Sequence, residues 1–62
     1  MEEIAYVIQR DDGKYLESLN NHFTSYLVNA LLCNDKHLAD YFIVSFKLKN
    51  CRPVKVKIEV CE

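Results

Sequence analysis

The sequence holds no tryptophan, one glycine and one proline. That scarcity excludes collagen-like and low-complexity chains, which are built on glycine and proline. Half of the residues are hydrophobic, so the chain is not compositionally disordered. No apolar run approaches the ~20 residues that a membrane-spanning helix needs. Net charge is also lacking: nine acids against eight bases leave −1, which tells against nucleic-acid binding as the main task. The three cysteines, Cys33, Cys51 and Cys61, show no CxxC spacing. Their odd number argues against a disulfide framework, and a reducing cytoplasm suits them best. Met1-Glu2-Glu3 is acidic where a signal or transit peptide would be basic, so the expected location is cytoplasmic. Sixty-two residues accommodate one small domain, 1–62, and no multidomain enzyme with its own cofactor fold.

Chains this short often rely on a metal, a disulfide, a partner subunit or very regular packing. Three features therefore matter here: the cysteines, the two histidines, and any apolar surface left uncovered. Charge is unevenly distributed as well. Residues 1–40 carry seven acids against three bases, and residues 41–62 carry five bases against two acids. Such a dipole can orient a partner, although two solvated faces would give the same pattern.

Ile4-Ala5-Tyr6-Val7-Ile8 is rich in β-branched and aromatic residues, and Lys14-Tyr15-Leu16 follows after Asp12-Gly13. An Asp-Gly between two such runs predicts a β-hairpin with a type I′ turn, in which Asp11 and Lys14 face each other. Asn20-Asn21-His22 is a polar break. The run 23–33 fits either a short helix capped by Thr24 or Ser25 or a short buried strand over 29–33, because periodicity does not separate the two at this length. Asn34-Asp35 supplies an N-cap, and 36–49 reads as one long helix. It is apolar on nearly every side, so it is covered more than once. The stripe of Tyr41, Val44 and Leu48 is the side expected to meet a partner, a second copy in a homodimer being one candidate. Pro53 ends the helix. Over 54–60, Val54, Val56, Ile58 and Val60 alternate with Lys55, Lys57 and Glu59, which predicts a strand with its valine side on the core. The result is an α+β domain of order β-β-β-α-β. A small antiparallel or mixed sheet, made of a hairpin, a short third strand and a C-terminal strand, carries the helix on one face.

Tyr6-Val7-Ile8, Asp12-Gly13-Lys14-Tyr15-Leu16, Asn29-Ala30-Leu31-Leu32, Asp35-Lys36, Leu38-Ala39 and Phe42-Ile43 together resemble the short open reading frames of Gram-positive phages and prophages. The resemblance covers nearly the whole chain, with Cys33 standing where an aromatic is commoner. It implies a phage accessory protein acting in the host cytoplasm. Proteins of that kind are usually binders that block or redirect a host protein, and inhibitors of type II CRISPR nucleases are one such group. The resemblance also favours the strand for 29–33.

Candidate chemistry is sparse. A helix over 36–49 carries the chain roughly 20 Å at 1.5 Å per residue, and the final strand returns beside it. Cys33, His37 and Cys61 then meet at one end as ligands for a structural zinc, with Asp35, Glu62, water or a second chain completing the tetrahedron. The competing explanation is that Cys33 is a buried small hydrophobe and His37 is exposed. Cys33 with His37 one turn on is formally a nucleophile and base. A chain this small offers no third orienting group, so catalysis is not expected. Lys55 and Lys57 share one strand side and would serve a nucleic-acid binder, yet lysines also protect an edge strand from aggregation. Tyrosine is enriched where proteins bind each other, which selects Tyr26 and Tyr41 as contact residues. The sequence thus points to a non-enzymatic protein-binding module, with Tyr26, Tyr41, Val44, Leu48, Lys55 and Lys57 on its contact surface. A basic nucleic-acid binder and a zinc-stabilised module are the alternatives.

Overall fold

The computed structural model describes residues 2–59. Two nine-residue strands form its spine: β1 (Glu2–Arg10) lies antiparallel to β4 (Cys51–Glu59) along its full length. β2 (Tyr15–Ser18) and β3 (His22–Thr24) extend the other side of β1, giving an antiparallel sheet of order β3-β2-β1-β4. One helix, α1 (Lys36–Ser45), packs on β1 and β4. The class and order are those the sequence predicts, α+β and β-β-β-α-β. Several local expectations need correction.

The Asp-Gly hairpin forms, but not through a type I′ turn. The Gly13 N–H donates to the Arg10 carbonyl at 2.9 Å and the Arg10 N–H to the Lys14 carbonyl at 2.7 Å. Gly13 alone in the turn takes a positive φ, +89°. This is a three-residue loop, a type I turn closed by a left-handed glycine. Arg10, not Asp11, therefore faces Lys14. The Asp12 carboxylate favours this turn because it accepts both from the Lys14 N–H and from the Arg10 guanidinium.

The third strand is 22–24, not 29–33. Asn21 adopts φ +63°, a conformation asparagine tolerates, so the polar break becomes a tight return that sets Phe23 opposite Leu16. Residues 27–29 form one 3-10 turn. Only Cys33 then pairs with β1: it exchanges two backbone hydrogen bonds of 2.8 Å with Tyr6.

The helix begins where expected, with the Asp35 side chain accepting from the Leu38 N–H at 2.8 Å. It stops at Ser45, four residues short of the sequence expectation. Lys47 takes φ +52°, its N–H bonds the Val44 carbonyl, and the Leu48 N–H bonds the Ile43 carbonyl. That pair of bonds is a Schellman motif, in which the residue after the left-handed position turns inward. Pro53 is not a helix stop but lies inside β4, which is an edge strand and so tolerates it.

The valine stripe does lie beside buried residues, Ala5 at 7% and Val7 at 0% exposed, with Lys55 and Lys57 exposed as expected, but not on the face that carries the helix. The register sets Ile8 opposite Pro53 and Val7 opposite Val54. Residues directly opposite in an antiparallel pair share a face. The core on the helix side is Ile8, Leu16, Cys33, Ala39 and Leu48, with Phe23, Phe42 and Cys51 packed around it. Val54, Val56 and Ile58 therefore stand on the other face, with Ala5 and Val7. Val60 lies outside the described residues. Lys55 and Lys57 stand on the helix face.

Candidate functional site

A ten-residue helix is about 15 Å long, whereas a nine-residue strand runs about 30 Å. α1 thus covers only one end of the β1–β4 pair. Around it the core closes fully: Ile8, Leu16, Cys33 and Ala39 are at most 1% exposed. The opposite end, where residues 2–5 of β1 pair with 56–59 of β4, lies beyond the last β1 partner on the other side, Cys33. On the helix face Ile4 is 50% exposed there, whereas Ala5 on the valine face is only 7% exposed. On the valine face, Leu27, Val28, Leu32, Val56, Lys57 and Ile58 line a groove of about 370 Å³. Val28 is 88% exposed, and Tyr26, Leu27 and Leu32 beside it are exposed as well.

The contact residues chosen from sequence divide into two groups. Tyr26, Tyr41, Val44, Lys55 and Lys57 are exposed. Leu48 is 8% exposed and belongs to the core, so it is not part of an outward stripe. The Schellman turn directs it inward because the helix has already ended. The stripe is left with Tyr41 and Val44, which are one helical turn apart.

The zinc set does not assemble among the described residues. Cys33 is fully buried within the core, His37 is exposed on the first turn of α1, and Cys61 lies outside the described residues. No group of three or more His, Cys, Asp or Glu side chains among the described residues is arranged to hold a metal. Burial, and to a lesser degree the Asp35 charge, pushes the Cys33 thiol above its ordinary pKa. A nucleophilic thiol is favoured by the opposite shift. Cys51 is also raised, mainly by burial, and its Sγ lies 3.3 Å from the Lys49 carbonyl.

An ion pair sits at the hairpin tip, Arg10 to Asp12 at 2.7 Å. The Arg10 guanidinium also covers the Phe23 ring at 4.1 Å from its centroid. Hydrogen bonds from Arg10 and the Lys14 N–H lower Asp12 to about 2. This cluster stabilises the turn.

The groove residues Leu27, Val28, Leu32, Val56 and Ile58 were not foreseeable as a site from periodicity. Alternation assigns Val56 and Ile58 to a buried side without saying which side the helix occupies. The available signal was length, because one helix cannot cover both faces and both ends of such strands. No protein-family model matches the chain, and no curated protein or solved structure is similar enough to count as a match.

Proposed function

We propose that this chain is a non-enzymatic protein-binding module, a phage-type inhibitor that blocks a functional face of a host protein by occupying it. A type II CRISPR nuclease is the target class to test first, as the sequence resemblance suggests. The observation that supports binding is the open end of the sheet. There an apolar groove adjoins Tyr26, Leu27, Val28 and Leu32, all exposed, in a chain with few residues to spare. Contiguous exposed apolar surface of this kind marks interaction sites, whereas single exposed side chains do not. The mechanism is steric and asks no chemistry of the module itself.

The test is a DNA-cleavage assay with purified nuclease and guide RNA, with the module in excess. Expected is dose-dependent loss of cleavage, reversed by Val28→Asp in a protein that remains folded. Undiminished cleavage across a panel of type II nucleases would overturn the choice of target. A Val28→Asp variant as inhibitory as the parent would overturn the choice of surface.

A further inference from the structure

Which way β4 directs its backbone follows from the bonds of β1. Both the N–H and the C=O of Tyr6 bond to Cys33, on the side of β1 away from β4. Tyr6 and Lys55 are therefore a non-hydrogen-bonded pair, and by period two so are Ile8 with Pro53 and Ile4 with Lys57. Pro53 fits this register because it has no N–H to offer β1. In such pairs the backbone groups point away from the partner strand. Lys55 thus directs its N–H and C=O outward, at the edge of the sheet where β4 is hydrogen-bonded to β1 alone.

We infer that this edge takes an extended acidic strand of a partner protein, added beside β4. The inference rests on the protein-binding reading and specifies the partner's chemistry. Residues of an added strand would alternate between the two faces of the sheet. On the helix face they meet Lys55, which is exposed and selects carboxylates, with Lys57 two residues on along the strand. On the other face they meet Val56 and Ile58 and the groove formed with Leu27, Val28 and Leu32, which select aliphatic side chains. The fitting segment alternates acidic and aliphatic residues. A second copy of β4 fits poorly, because antiparallel pairing would bring the lysines of both copies onto one face, and like charges facing each other are unfavourable.

The test is an amide NMR titration of the full chain with an eight-residue capped peptide in which glutamate alternates with valine and isoleucine. A peptide of identical composition, with the glutamates in one block, serves as the control. Expected are chemical-shift changes centred on 54–58 and 27–32, and slowed hydrogen exchange at the Lys55 amide. The block peptide should bind about tenfold more weakly, since it loses either the lysines or the groove. Lys55→Pro removes the outward N–H without touching the ladder to β1 and should weaken binding by about tenfold. Lys55→Glu keeps the N–H, reverses the charge, and should weaken binding while making it less sensitive to salt. Equal binding of the two peptides, no binding of either, or shifts confined to Tyr41 and Val44 would overturn the edge assignment. Nuclease inhibition that survives Lys55→Glu and Lys55→Pro while failing with Val44→Asp would do the same, and would leave the protein-binding reading in place.

Discussion

The two ends of the β1–β4 pair are built from similar residues and differ in what covers them. At the helix end, Ile8 is sealed by Leu16, Ala39 and Leu48. At the far end, Ile4, two residues before Tyr6 on the same face, is half exposed. Composition therefore does not distinguish a core position from a surface one in this chain. The reach of a ten-residue helix does. Closing the core at one end leaves Ile4 uncovered at the other, and on the opposite face a groove beside Val56 and Ile58, both backed by a regular ladder.

Substitutions can probe that contrast. The largest effect is expected from Leu16→Ala, which empties a fully buried position: about 2–5 kcal/mol of stability. Thermal unfolding followed by circular dichroism should show the transition falling by more than about 10 °C. Val28→Ala at the open end should change stability by less than about 0.5 kcal/mol. A Val28→Ala cost comparable to Leu16→Ala would mean that the two ends are one core.

Next come the helix ends, which determine where cover stops. Asp35→Ala removes the N-cap bond and should cost about 1 kcal/mol in chemical denaturation. Lys47→Gly should stabilise by about 0.5–1 kcal/mol, because glycine carries no penalty at φ +52°. A destabilising Lys47→Gly would show that the Schellman turn does not fix the helix length.

The smallest effect lies at the hairpin tip and is seen only in acid. Asp12 has its folded pKa lowered to about 2 from 3.8. Its contribution is fully present above the unfolded value and is lost as pH falls from about 4 towards 2. Asp12→Asn should flatten the stability-versus-pH curve in that window and leave it unchanged near neutrality in slope. A parallel decline in both proteins would remove Asp12 from the account.

The sequence revealed what depends on local chemistry. Asp12-Gly13 announced a hairpin, Asp35 a helix start, and the faultless alternation after Pro53 a strand. It was poor at what depends on residues far away. The helix end was missed because Lys47 takes a left-handed conformation that usually belongs to glycine. The third strand was misplaced because Asn21 does the same, and because Phe23 is drawn to Leu16 by a pairing that no short window contains. The side of the valine stripe depends on the register between strands some fifty residues apart, which alternation within one strand cannot encode. Of the contact residues, Tyr26, Tyr41, Val44, Lys55 and Lys57 were placed on the surface correctly. Leu48 was misplaced with the helix end, and the groove went unseen with the valine side.

The register that sets Glu2 opposite Glu59 also brings the two ends of the described chain side by side. Force applied through those ends would load the β1–β4 ladder one rung at a time, as a zipper is opened, instead of all rungs together. The module should thus open at low force from its uncovered end, while the helix-covered end holds until last. The same adjacency would let a short linker join the ends and a new break open the hairpin at Gly13, giving a permuted chain with the edge of β4 unchanged.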